Sequence, residues 1–260
     1  MNKTKYVFWL LSVVFLVLVS CTHEDQDDSI KFLKSIVETT DGGSVKITTF
    51  SYNGAEISSI VDDSTIKEFK YNLGLITAID ITNKTTSVKT TVEYFYENGK
   101  LIQVKLAGDY MINYVHNSDG TISYEKFDIS TLNLKVKIHH GVLTFKNGNI
   151  IKEERVLDNQ AVGVISKYNV YYDYDYKLNP LHNIVGYDKL LDHEELMSSN
   201  NYLISTVETS VEKDGQIISS ASFYKNTFQY DKRNYPIEKN SLVSIPHKGI
   251  SYNLKTTYHY

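Results

Sequence analysis

The sequence predicts an all-β protein: an antiparallel up-and-down meander, a curved sheet or barrel-like body, with one short helical insert. Three observations predict it. A unit made of aromatic-x-Tyr, a polar turn and an apolar strand recurs along the chain. The segments between turns alternate apolar and polar residues with a period of two, as half-buried antiparallel strands do. The composition fits a hydrogen-bonded ladder: 21 of 260 residues are Tyr, which favours strands, and only 3 are Pro, which cannot donate to one.

Taken from the N-terminus, residues 1–20 read as a signal peptide. Lys3 and Lys5 precede a nearly unbroken apolar run from Val7 to Val19. That is a signal-peptide core of roughly 7–15 residues rather than a spanning helix of about 20. The run ends in Leu18-Val19-Ser20-Cys21, which resembles the bacterial lipobox. The resemblance implies cleavage before Cys21 and lipidation of its thiol. Cys21 is the only cysteine, so no internal disulfide is available to it. Acyl chains anchor by about 0.8 kcal/mol per buried CH₂. Residues 21–30 read as a lipidated flexible tether, because Thr22 to Asp28 is polar and acidic with nothing to bury. Thr22 after the cysteine resembles lipoproteins sent to the outer membrane. The acidic cluster resembles Bacteroidota surface-export signals. Together they imply an outer-membrane anchor and display at the cell surface.

Residues 31–260 read as a single all-β domain of degenerate hairpin repeats. Phe50-Ser51-Tyr52-Asn53-Gly54 leads to Ile57 and Ile60, and Phe69-Lys70-Tyr71-Asn72-Leu73-Gly74 leads to Ile76 and Ile79. Tyr94-Phe95-Tyr96-Glu97-Asn98-Gly99 leads to Leu101 and Val104. Tyr114 leads through Asp119-Gly120 to Ile122 and Tyr124, and Phe145-Lys146-Asn147-Gly148 leads to Ile150. Tyr172-Asp173-Tyr174-Asp175 and Phe228-Gln229-Tyr230-Asp231 repeat the opening, and the chain ends on Tyr258-His259-Tyr260. Asn-Gly and Asp-Gly accept the positive φ of tight hairpin turns. Period-two faces include Leu132, Leu134, Val136 and Ile138; Val88, Thr90, Val92, Tyr94 and Tyr96; and Tyr168, Val170, Tyr172, Tyr174 and Tyr176. About a dozen or more strands follow. One segment breaks the pattern: Tyr187, Leu190, Leu191 and Glu194 sit at near-helical spacing, which predicts a short helix near 187–197.

These units resemble the tyrosine–aspartate repeats of the Rhs class. They are more similar still to uncharacterised Bacteroidota lipoproteins with a porin-like β fold. In that group a Tyr-rich strand precedes an Asn-Pro loop and a short helical insert, which Tyr172 to Asp175, Asn179-Pro180-Leu181 and Asn200-Asn201 match. Unit spacing here is uneven, and the array is too short for an Rhs shell. The resemblance implies a fold and an address, not an activity.

Chemistry-bearing motifs are sparse. Without residues 1–20 the chain carries 25 basic and 31 acidic residues, a formal charge of −6, which argues against nucleic acid as a partner. His139-His140 are neighbours that a strand points to opposite faces. His193-Glu194-Glu195 lacks the second histidine of a zinc-protease motif. Asp173, Asp175, Asp188 and Asp192 lack a glycine-spaced calcium loop. No catalytic residue, metal or cofactor is expected. A Tyr-lined sheet could bind a glycan or peptide, with Tyr94, Tyr96, Tyr172, Tyr174 and Tyr230 as the candidate surface. The expectation is a lipid-anchored, non-catalytic envelope module that binds a glycan, peptide or partner protein. The alternatives are an outer-membrane-embedded β-barrel, which the aromatic C-terminus resembles, and a glycan-active hydrolase, which needs two carboxylates across a cleft.

Overall fold

The structure, a computed structural model, describes residues 30–131, 134–158 and 160–260; the side chains of residues 194 and 195 are outside the description. The signal peptide, Cys21 and nearly all of the tether lie outside the described residues. The strands are β1 (Ser35–Thr40), β2 (Val45–Asn53), β3 (Glu56–Val61), β4 (Thr65–Asn72), β5 (Leu75–Asn83), β6 (Lys89–Glu97), β7 (Lys100–Leu106) and β8 (Tyr110–His116). They continue as β9 (Ile122–Asp128), β10 (Val136–Lys146), β11 (Asn149–Leu157), β12 (Val164–Leu178), β13 (Asn200–Lys213), β14 (Gln216–Tyr230), β15 (Pro236–Ile245) and β16 (Ile250–His259). Each pairs antiparallel with the next, and β16 returns to β1 with Tyr258 opposite Ile36. Among the described residues, sixteen strands thus form one closed up-and-down barrel, which leaves no free sheet edge.

Residues opposite one another in the register share a face. Buried Ile79 faces buried Val92, and Tyr94 faces Val104 across the next pair. Following the pairs around the barrel puts Ile112, Tyr114, Tyr124, Leu143, Val170 and Tyr172 on the same inner wall, all buried. The outer wall carries charge. Asp80 accepts from Thr91 at 2.7 Å and pairs with Lys70 and Lys89 at 2.8 and 3.0 Å. Those partners, Lys70 first, hold its carboxyl well below the usual carboxylate range. Lys137–Glu125, Lys152–Glu154 and Lys255–Glu238 pair on the same outer face, each at 2.8 Å.

The recurring sequence unit maps to one end of the barrel. In three hairpins the turn residues Leu73-Gly74, Asn98-Gly99 and Asn147-Gly148 all have positive φ, the primed turn that matches strand twist. Five hairpins at this end then shift register by one extra residue on the returning strand. That bulge explains the spacing of Ile57/Ile60, Ile76/Ile79 and Leu101/Val104. Three residues apart, they would fall on opposite faces of a regular strand; the extra residue turns both inward. The unit's Tyr then bonds back to the preceding hairpin. Ile57 N–H donates to the Tyr71 hydroxyl at 3.1 Å, and the Tyr96 hydroxyl donates to the Ile76 carbonyl at 2.9 Å. His116 Nε2 takes the same role at the Leu101 carbonyl, 2.9 Å. Each hydroxyl satisfies a backbone group that the bulge takes out of the ladder.

Residues 179–199, which join β12 to β13, fold into this end as a plug. Val185 N–H donates to the Ala55 carbonyl and Ser199 N–H to the Gly148 carbonyl, at 3.0 and 3.2 Å. Asn183 donates to the Lys31 carbonyl and the Tyr235 hydroxyl at 2.8 and 2.6 Å. Leu190 is fully buried, with Leu181, Ile184 and Tyr187 packed around the same core. The expected helix is here two 3₁₀ segments, Tyr187–Lys189 and Leu191–Met197. Leu190 leaves helical geometry between them at φ −80°, ψ 80°, so the three-residue spacing of Tyr187 and Leu190 is that of a 3₁₀ turn.

Three faces are corrected. Of the segment 132–138, residues 132 and 133 lie outside the described residues. The strand begins at Val136, and a register shift between Lys137 and His139 breaks the expected alternation. Val88 precedes β6 rather than joining its inner face. Tyr176 follows an irregularity in β12 and is exposed.

Candidate functional site

The end opposite the plug is open. Inner-wall residues there, such as Val211, Ile218, Ile250 and Tyr252, are exposed although their registers point them inward. Between this mouth and the plug lies a cavity of about 270 Å³. Tyr110, Ile112 and Tyr114 of β8 and Tyr124 of β9 form its aromatic wall. Lys126 of β9, His139 of β10 and Arg155 of β11 form the basic-residue wall, with His139 a neutral imidazole at pH 7, and Leu191 and Asp192 of the plug form the floor.

Local packing positions these groups. Tyr124 lies opposite Gly141, where an added Cβ would meet its ring at 2.7 Å and the Glu154 carbonyl at 2.3 Å. Only glycine lets the ring lie against the strand. The Tyr124 hydroxyl donates to buried Glu153, and Arg155 closes the group with Nε 3.1 Å from that hydroxyl and a terminal nitrogen 2.6 Å from Glu153. These charges are therefore spent on one another. Lys126 sits opposite His139, with its ammonium 4.4 Å from the centre of the Tyr110 ring. Among the described residues it has no carboxylate partner. Burial, then the Arg155 and Lys126 charges, push His139 down to about 4.

Asp192 accepts from the Tyr94 hydroxyl through Oδ2 at 3.2 Å, while its other oxygen is buried with no donor among the described residues. Next to it, His193 lies between the Tyr187 hydroxyl at 3.1 Å and that of Tyr94 at 3.4 Å, and burial lowers its pKa. Burial and the Asp192 charge push Tyr110 up to about 12, so its phenol keeps its proton and can donate. A second cavity, of about 410 Å³, lies at the plugged rim. Several of its polar groups are spent: His116 on the Leu101 carbonyl, Asn117 on Thr121 and Ser123, and Asp188 on Lys189.

The barrel is similar to solved porin-like proteins of Bacteroides. One, from Bacteroides vulgatus, is 13% identical with a TM-score of 0.55, covering 88% of this chain and 99% of that one. Another, from Bacteroides uniformis, is 11% identical with a TM-score of 0.51, covering 87% and 97%. At such identity the likeness shows the fold. No protein-family model matches the chain, and no curated protein matches its sequence.

The five sequence candidates all lie on the inner wall, but none lines the 270 Å³ cavity. Tyr94 touches the plug at Asp192, and Tyr96 bonds to Ile76. Tyr172 packs against Tyr174 and Tyr202 with ring centres 6.2 and 6.0 Å apart. Tyr174 meets Ser198 of the plug at 3.0 Å, and Tyr230 donates to Asp175. Three of the four aspartates have separate partners: Asp175 accepts from Tyr230, Asp188 pairs with Lys189 and Asp192 accepts from Tyr94. Among the described residues no three His, Cys, Asp or Glu side chains gather as a metal would require. Sequence reading missed Lys126 and Arg155. One signal existed: of His139 and His140 a strand must send one inward, and it is His139, while His140 pairs outside with Asp158 at 2.9 Å.

Proposed function

We propose that this chain is a water-bathed, plugged barrel of the cell envelope that binds a small glycan or peptide group in its lumen, without catalysis, from the open end. The observation that carries it is the cavity above the plug, where aromatic faces and unspent polar groups converge. At about 270 Å³ it falls just below the roughly 300–1,000 Å³ of drug-sized pockets, a size that suits one sugar ring or one amino acid. The lipobox-like Cys21 supports anchoring to the outer membrane, with the barrel held clear of lipid. A glycan and peptide array, probed with the full chain carrying Cys21→Ser, tests the reading. Binding to a defined class of probe is expected; binding to none contradicts it.

The likeness to porin-like proteins favours a second reading, a barrel embedded in the outer membrane. A lipid-facing barrel needs an apolar outer band, and charged side chains there cost about 2–4 kcal/mol each at mid-bilayer. The outer ion pairs around Asp80, Glu125, Glu154 and Glu238 oppose that. Ultracentrifugation of the Cys21→Ser chain separates the two readings. Retention in detergent-free solution supports a water-bathed barrel, and sedimentation with membranes supports the embedded one.

A further inference from the structure

The unspent groups of the lumenal cavity specify a ligand more narrowly than its shape does. Four residues line one space: Lys126, Asp192, Tyr110 and Tyr114. Lys126 supplies a cation with no carboxylate partner among the described residues. Asp192 lines the floor with its carboxylate, whose Oδ1 has no donor among the described residues. The hydroxyls of Tyr110 and Tyr114 line the same cavity without a hydrogen-bond partner among the described residues, and both phenols stay protonated. A ligand hydroxyl that reaches the Asp192 carboxylate would donate to an acceptor that the described residues leave underused.

The ligand that fits carries one anionic group for Lys126. It also carries several neutral hydroxyls, for Asp192 and the two phenols, and an apolar ring face for the tyrosines. Neutral hydroxyls match the phenols better than a second charge does, because each phenol both donates and accepts. A plain carboxylic acid leaves Asp192 unsatisfied, and a neutral sugar leaves Lys126 unpaired. We propose that the cavity is a subsite for a single acidic sugar residue, a pyranose whose carboxylate pairs with Lys126 beside His139 and whose hydroxyls are read by Asp192, Tyr110 and Tyr114. This rests on the lumenal reading above and names its substrate class.

The pair Lys126 and His139 gives the carboxylate its place. They face one another across the β9–β10 ladder, and because Arg155 on the next strand is neutralised by Glu153, Lys126 is left to read the carboxylate. Lys126 therefore acts as the charge-reading residue and Asp192 as the hydroxyl-reading one.

The test is titration calorimetry of the full Cys21→Ser chain at pH 7 with glucuronate, glucose and glycine as probes. Glucuronate should bind at least about tenfold more tightly than glucose or glycine. Lys126→Gln should abolish that preference by weakening glucuronate alone, with the melting temperature unchanged, and Lys126→Arg should restore it. Asp192→Asn should weaken glucuronate and glucose together. Equal binding of glucose and glucuronate, or a preference that survives Lys126→Gln, overturns the acidic-sugar assignment while leaving a lumenal sugar site standing. Tighter binding of glycine than of either sugar overturns the sugar class. If none of the three binds and the array is also blank, the lumenal reading itself fails.

Discussion

The two ends of the barrel are built differently. At the plugged end five hairpins share one bulge, and the second residue of four returning strands is almost completely buried: Ile57, Ile76, Leu101 and Ile150 are at most 1% exposed. At the open end the connections vary in length, and inner-wall Ile218 is 76% exposed. The difference teaches where the sequence repeat comes from. A hairpin that must face a packed plug is held to a common geometry, so the bulge recurs in five of them and the two-residue turn in three. A hairpin that faces water is not so held. The repeat is thus a record of packing at one end rather than of a ligand surface.

Substitutions at the two ends should differ most in the core. Leu190→Ala in the plug should destabilise by about 3 kcal/mol in urea unfolding, since it removes buried methyls and leaves a void. Ile218→Ala at the mouth should change stability by less than about 0.5 kcal/mol. Equal effects would mean that the plug does not pack as described.

Glycines sharpen the same contrast. Gly186 in the plug has φ 74°, and an added Cβ would lie 2.7 Å from the Gly74 carbonyl oxygen; Gly215 at the open end has φ 74° and open space. Gly186→Ala should therefore lower stability by about 2–3 kcal/mol, adding overpacking to backbone strain, and Gly215→Ala by about 1 kcal/mol, from strain alone. Matched losses in thermal unfolding would remove the close approach of the plug to the β4–β5 turn.

A smaller effect comes from pH. His139 and His193 both have folded pKa values below the ordinary 6.5, so the unfolded chain takes up their protons first. Their contribution is fully present above about pH 6.5 and is lost as pH falls from there toward 4, the folded value of His139. His139→Gln should reduce that loss by about 1 kcal/mol, well under the full linkage value because the imidazole is partly exposed. Melting curves at pH 7 and pH 4.5 check it; an unchanged difference would place His139 outside the lumen.

Much of this architecture was legible in the sequence. Period two gave the strands, and Asn-Gly turns gave the hairpins. The faces of Thr90 to Tyr96 and of Tyr168 to Tyr174 stand as read. The three-residue spacing of Ile76 and Ile79 was written there too, but its cause, a bulge, needed the register. The sequence left the helical insert either lying on the sheet or closing one end; the choice of the end depends on contacts with turns more than a hundred residues away, such as Ala55. Nor did the sequence reveal the cavity, whose lining comes from four strands and the plug. The tyrosines were visible because they repeat. Lys126 and Arg155 were not, because a charge on an alternating strand reads as outward until its register is known.

The central claim is that the apolar wall faces a lumen closed at one end while the outer wall faces water. Single cysteines in the Cys21→Ser chain test it most directly, at Glu93 on the outer wall, Ile218 at the mouth and Leu101 beneath the plug. A water-soluble maleimide should label Glu93→Cys and Ile218→Cys rapidly in detergent-free buffer and leave Leu101→Cys protected until the protein unfolds. Rapid labelling at Leu101→Cys, or protection of Glu93→Cys, would contradict the account.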